Sequence, residues 1–310
     1  MLKQILKPGD RVDIIAPASG CHPGVLKKVE ALLTSWQLQS YIPENLLGDD
    51  FLFANKQEHR LEQLQKALQS PQSRAVWCLL GGYGSGKLLP ELGRMIPPKT
   101  QKIFLGFSDI TALHIFLQVK WGWSTIHTPS ARQVALGAVT EDSSQMLHDV
   151  LFGKTHLVYE NLAPLNHAAK KNAVIAAPII GGNLHLIQAS IGTSWQIDAK
   201  NKILFIEDVN ERAYRIDRAL EHLKQANILN QTAAILLGDF IGGKEVDGTS
   251  LVDATLKRFA ETCPIPVLQL KHVGHGKVNY PLILGQPVKL QLGKHGTLDF
   301  DCSLGGTQSV

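Results

Sequence analysis

Three short apolar runs, each stopped by proline, glycine or a polar turn, constrain the first half of this chain more than any other feature. RVDIIAP at 11–17 ends on a proline, AVWCLL at 75–80 stops at a glycine cluster, and KIFLGF at 102–107 runs into Ser108 and Asp109. Amphipathic segments lie beside them. Lys56–Leu68 sets Leu61, Leu64 and Leu68 at helical spacing, and Asp109–Val119 sets Ile110, Leu113 and Leu117 on one face. Strands apolar on both sides, alternating with one-sided helices, predict a parallel sheet covered on both faces.

The second half reads differently. NKILFIED at 201–208 and AAILLGDF at 233–240 are further buried strands, and a helix between them places Ile216, Ala219, Leu220 and Leu223 on one face. Pro287–Leu292 and Thr297–Asp301 alternate apolar and polar around GKHG, a hairpin pattern. A mixed or barrel-like sheet is expected there. From about Val150 to Ala173 the periodicity lapses, so the division expected is a domain over 1–152, a linker over 153–173 and a second domain over 174–310.

Composition narrows the function classes. With 44% apolar and 19% charged residues the chain is an ordinary globular protein, and its net charge of +4 is not gathered into a basic block, so no nucleic-acid partner is expected. No stretch approaches a membrane span, and MLKQILKPGD has no apolar run before Pro8 and Gly9, so neither a membrane nor a secretory signal is expected and the cytoplasm is the expected compartment. Cys21, Cys78, Cys263 and Cys302 are far apart in sequence and are expected as thiols rather than as a CxxC redox or zinc pair.

GGYGSGK at 81–87 satisfies the phosphate-loop spacing G-x-x-x-x-G-K, but Leu88 stands where a magnesium-holding hydroxyl is needed. The same glycines would let backbone N–H groups approach a substrate, as an oxyanion hole requires. Ser108, in Gly106-Phe107-Ser108-Asp109, follows a strand and precedes a helix, which is the setting of a nucleophile elbow. Helix capping also accounts for a serine there and, from this segment alone, is the simpler reading. Among 12 histidines, His275 sits between Gly274 and Gly276 in a loop. His114 rivals it by sequence proximity to Ser108 but reads as a packing residue, and His127 in TIHTP reads as lining a site or holding a loop. Glu207 ends the run ILFI and is a candidate to orient a base, with Asp208 the alternative from the same dipeptide.

These segments occur together in a known arrangement. LKPGDRVDIIAPASG at 6–20, GGYGSGKLLPEL at 81–92, KIFLGFSDITALHIFL at 102–117, STIHTP at 124–129, PIIGGNLHLIQASIGT at 178–193, ILFIEDVNERAYRIDRAL at 203–220 and GHGKVNYPLILG at 274–285 resemble, in order, the LD-carboxypeptidase family of serine peptidases. The resemblance implies an α/β protein with an N-terminal flavodoxin-like domain and a C-terminal mixed-sheet domain. It implies Ser108 as nucleophile, His275 as base and Glu207 as its partner, with oxyanion donors from the backbone of Asp109, Gly81 and Gly82, and Tyr83 and His127 toward substrate. It also implies a muropeptide tetrapeptide substrate that loses a terminal D-alanine, a homodimer, and no metal or organic cofactor. Two positions depart from the family pattern: Leu80 replaces an arginine and Phe107 a tyrosine. The neighbouring reading within the family is hydrolysis of a peptidyl-nucleotide antibiotic, for which Trp123 or Trp195 is a candidate ring platform. A reading from another class is a non-catalytic ligand- or nucleotide-binding protein.

Overall fold

The computed structural model describes residues 5–153 and 157–300. It divides into two compact units, and the chain is not partitioned between them at a single point. Of the described residues, one unit comprises 5–153 together with 277–283, and the other comprises 157–276 with 284–300.

In the first unit, strands β1 (Arg11–Ile15), β2 (Gln39–Tyr41), β3 (Ser73–Cys78), β4 (Ile103–Gly106) and β5 (Thr125–His127) form one sheet. Every pairing among β1 to β5 is parallel. Their order in space is β5-β4-β3-β1-β2, the flavodoxin-like arrangement, in which direction of winding reverses between β1 and β3. Ligands of such sheets bind outside the carboxyl ends of the strands near that reversal. The loops after β1, β3 and β4 all leave from those ends, and they carry Ser19, the glycine turn and Ser108.

The helices begin and end where local chemistry allows. Thr140 accepts a hydrogen bond from the Ser143 amide at the start of Glu141–Leu151, and Glu141 and Asp142 complement its positive end. Ser130 and Gln133 form a reciprocal capping box. Gly122 ends Thr111–Trp121 in the left-handed conformation. Gln57–Gln69 buries Arg60, Gln63, Leu64, Ala67 and Leu68. Its inward face is therefore rotated from the leucine stripe read in the sequence: Leu61 is only half-buried, and the wholly buried first-turn side chain is an arginine.

The second unit is a closed barrel of β6 (Val158–Pro164), β7 (Val174–Asn183), β8 (Ile203–Val209), β9 (Ala234–Ile241), β10 (Val267–Gly274), β12 (Pro287–Gln291) and β13 (Gly296–Asp299), in the order β10-β6-β13-β12-β7-β8-β9. Strand β11 (Leu282–Leu284) belongs to the other sheet, at the edge beside β5. Strands β7 to β10 pair in parallel, and the remaining pairings are antiparallel. The expected hairpin is β12–β13, with Leu290 opposite Leu298; Asp301, placed in it from the sequence, lies outside the described residues.

The segment expected as a linker over 153–173 is corrected in part, because it contains β6. A bulge hides this strand from a periodicity reading. Asn161 has φ of 59°, the register against β13 shifts, and the buried residues Tyr159 and Leu162 fall three apart instead of two. Asn166 then fastens the following turn, donating to Cys263 and Ile265 carbonyls (3.0 and 2.7 Å) and accepting from the Ala169 and Val267 amides.

Cys21, Cys78 and Cys263 are free thiols, and Cys302 lies outside the described residues. Among the described residues no helix is long and apolar enough to cross a membrane.

His114 is wholly buried, with Nε2 2.8 Å from the Gly106 carbonyl and its ring edge-on to Phe104. Burial depresses its pKa to about 4, against a partial rise from the Gly106 bond. The folded value lies below the ordinary 6.5, so the unfolded chain binds the proton first and the neutral ring's contribution is lost as pH falls from 6.5 toward 4. The full shift of 2.5 corresponds to about 3 kcal/mol. His114→Gln is therefore expected to reduce the stability difference between pH 7 and pH 4.5 by about 2 kcal/mol in urea unfolding; equal differences in the two proteins would refute the assignment.

Candidate active site

Ser108 follows β4 by one intervening residue, Phe107, and opens a single tight turn, Ser108–Ile110, that continues into the helix Thr111–Trp121. Its φ is 62°, left-handed backbone that a non-glycine residue adopts at a cost of about 1–3 kcal/mol. That conformation swings the side chain out of the line of the strand, as a nucleophile elbow does. The Ile110 amide donates to the Phe107 carbonyl at 3.2 Å, and the first amides of such a turn otherwise lack an acceptor within it.

Gly81 meets this elbow from the end of β3. A Cβ at position 81 would lie 2.8 Å from Ser108 Cβ and 3.1 Å from its Oγ, so only glycine permits the approach. The Gly81 carbonyl accepts from the Ser19 amide at 3.1 Å, and Ser19 Oγ accepts from the Tyr83 amide at 3.2 Å. The turn is thus pinned to the loop after β1. Gly82 and Tyr83 are exposed, and the Tyr83 ring leans on Phe53 at a centroid distance of 5.5 Å. His127 ends β5 beside Gly106, is buried, and stands edge-on to the Phe107 ring.

Asp109 is buried and fixes the other side of the turn. Its carboxylate accepts from the Ser85 amide at 2.8 Å, while Ser85 Oγ donates to the Asp109 carbonyl at 2.6 Å. Burial raises the Asp109 carboxyl above the usual range, opposed by the Ser85 bonds, the Gly84 amide and the charge of Arg60.

In the barrel unit, Glu207 and His275 come together although 68 residues apart, with Nδ1 2.6 Å from Oε2. Glu207 lies near the end of β8 and is fully buried; His275 follows β10 with 13% of its side chain exposed. Burial drives the Glu207 carboxyl up, and the His275 charge and hydrogen bond only partly oppose this. Burial also disfavours the imidazolium of His275, but the Glu207 charge and hydrogen bond, with Asp208 behind them, outweigh it and raise its pKa above 6.5. A carboxylate on Nδ1 selects the tautomer and directs Nε2 to the opposite side of the ring, where a base acts.

The 207–208 dipeptide, ambiguous in sequence, divides by strand alternation. Asp208 accepts from the Asn183 side chain (2.8 Å), and its other oxygen lies 2.7 Å from His185 Nδ1. This second histidine–carboxylate pair has no sequence signal beyond the ED dipeptide itself. Trp123 and Trp195 are buried, at 5% and 8% exposure, and neither presents a ring face to solvent.

Comparison with known proteins follows the same two parts. The LD-carboxypeptidase N-terminal domain matches residues 12–128, and the LD-carboxypeptidase C-terminal domain matches 176–290. The chain is 32% identical to the "probable murein peptide carboxypeptidase" of Bacillus subtilis over 87% of this chain and 85% of that one. It is 29% identical to the murein tetrapeptide carboxypeptidase of Pseudomonas aeruginosa, over 91% and 93% respectively. The crystal structure of a muramoyltetrapeptide carboxypeptidase from Oxalobacter formigenes shares the fold with a TM-score of 0.80 at 24% identity, covering 93% of this chain and 98% of that one. With both halves matched in order, this chain belongs to the LD-carboxypeptidase family, peptidase S66.

Proposed function

We propose that this chain is a serine-type LD-carboxypeptidase that releases the terminal D-alanine from murein tetrapeptides. The observation that carries the reading is the buried Glu207–His275 pair, an imidazole held by Nδ1 as a hydroxyl-activating base requires. Ser108 is the hydroxyl with the backbone of a nucleophile. The named activities of the Bacillus and Pseudomonas relatives supply the substrate class. Resemblance to the family adds a homodimer and cytoplasmic action on recycled wall fragments.

In this reading His275 Nε2 takes the Ser108 proton as Oγ attacks the amide carbonyl of the scissile bond. Glu207 stabilises the imidazolium. Backbone N–H groups of Asp109 and of the Gly81–Gly82 turn receive the tetrahedral oxyanion. His275 then protonates the leaving D-alanine amine, and water hydrolyses the acyl-enzyme by the same route in reverse.

Incubation with muramoyl-tetrapeptide is expected to liberate D-alanine, and Ser108→Ala to lower kcat by at least about 10³-fold. Wild-type rates from that variant would remove Ser108 from the mechanism. The base must be neutral, and its pKa is raised, so kcat/KM is expected to fall with decreasing pH through a value above 6.5. Glu207→Gln deletes most of what raises it and leaves burial opposed only by the Asp208 charge. Its acid limb should move to lower pH while the rate drops about 10²- to 10⁴-fold; an unmoved limb would contradict the pairing. Gly81→Ala is expected to abolish measurable turnover in a folded protein, since its methyl occupies the space of the Ser108 side chain. Activity within a few-fold of wild type would show that the elbow tolerates displacement.

A further inference from the structure

Arg60 is 1% exposed and has no carboxylate within ion-pair distance among the described residues. A buried cation is costly unless other groups satisfy it. Here carbonyls do so: Nε donates to Asn55 O at 3.0 Å, and Nη1 donates to Pro17 O and to Gly84 O, the latter at 3.1 Å. The guanidinium lies 4.2 Å from the Phe53 ring centroid, while Nη2 is buried with no hydrogen-bond partner among the described residues. Gly84 has φ of 123°, and a Cβ there would fall 2.6 Å from Phe53 and 3.0 Å from Arg60 Nη1, so the contact requires glycine.

The Gly84 carbonyl and the Ser85 amide belong to one peptide group. Arg60 donates to its oxygen, and the Asp109 carboxylate accepts from its nitrogen at 2.8 Å. The two buried charges thus oppose each other through a peptide plane whose dipole is aligned with both. Asp109 follows Ser108 in the chain, and the clamped peptide closes the turn that begins at Gly81. Pro17 ties the same guanidinium to the loop holding Ser19, which in turn holds Gly81 and Tyr83.

We infer that Arg60 is a positioning residue for catalysis, acting with Asp109 on the Gly84–Ser85 peptide to hold the amides of the glycine turn at the spacing that the Ser108 oxyanion needs. This rests on the serine-peptidase reading above. Stability alone would not require the cation and the anion to grip one peptide at the edge of the elbow. Nor does Arg60 touch the reacting atoms, so its effect belongs to kcat and not to substrate affinity.

The test compares Arg60→Gln, Arg60→Lys, Asp109→Asn and the Arg60→Gln/Asp109→Asn pair in the full chain. D-alanine release and the rate of Ser108 labelling by a fluorophosphonate are measured, with circular dichroism as the check on folding. Arg60→Gln is expected to lower kcat and the labelling rate about 10- to 100-fold with KM within about threefold of wild type. Arg60→Lys should recover part of the loss, and the double variant should fall no further than the worse single one. A folded Arg60→Gln with kcat within about twofold of wild type, or additive losses in the double variant, would overturn the clamp. If Arg60→Gln does not fold, Arg60→Lys carries the comparison, and failure of both to fold would assign Arg60 to stability and overturn it equally. A wild-type protein neither labelled at Ser108 nor releasing D-alanine would defeat the functional reading itself.

Discussion

Parallel pairing of β3 with β4 is the constraint on which the sheet unit's candidate site depends. Trp77 sits opposite Leu105, so the two strands run in step and leave the sheet at the same edge. Their continuations, Gly81 and Ser108, therefore meet with no side chain between them. An antiparallel arrangement would send the two loops to opposite edges. The reversal of winding between β1 and β3 brings in Ser19 as the third support. The left-handed backbone at Ser108 is tolerable in this setting because the flanking strand and helix are both well packed: Phe104, Leu105, Ile110 and Leu113 are all essentially inaccessible.

Charge burial is the second theme. Glu207, Asp208, Asp109 and Arg60 are each at least 96% inaccessible, an arrangement a purely structural core avoids. Each is compensated differently. Glu207 has an imidazole and Asp208 has an amide and another imidazole, whereas Asp109 and Arg60 share backbone groups. The imidazole-bound carboxylate raises the pKa of its histidine, and the backbone-bound pair shapes a turn. Packing Glu207 and Asp208 on opposite faces of one strand keeps two like charges apart while each still raises the pKa of Glu207's imidazole partner.

Legibility in the sequence followed periodicity. The parallel strands RVDII, AVWC and IFLG are continuous apolar runs because both their faces are covered, and such runs announce themselves. Ser108, Glu207 and His275 stand near strand ends in the sequence, a position that by itself marks no role, and it is the matching segments taken together that single them out. What periodicity missed has a common physical origin. Strand β6 is bulged at Asn161, so its alternation breaks. Arg60 occupies an inward helical position, where a pattern reading looks for leucine. Strand β11 pairs with β5 across some 150 residues of intervening chain, a distance at which no local rule operates.

That last pairing bears on how the molecule is assembled and dissected. Residues 277–283 belong to the sheet unit although everything around them in sequence belongs to the barrel. Genetic excision at residue 153 would yield a sheet whose β5 edge is bare, with unpaired amides and carbonyls open to intermolecular strand addition. During synthesis the same edge waits until residues 282–284 have emerged from the ribosome. The sheet unit is thus topologically complete only once most of the barrel's sequence has been made.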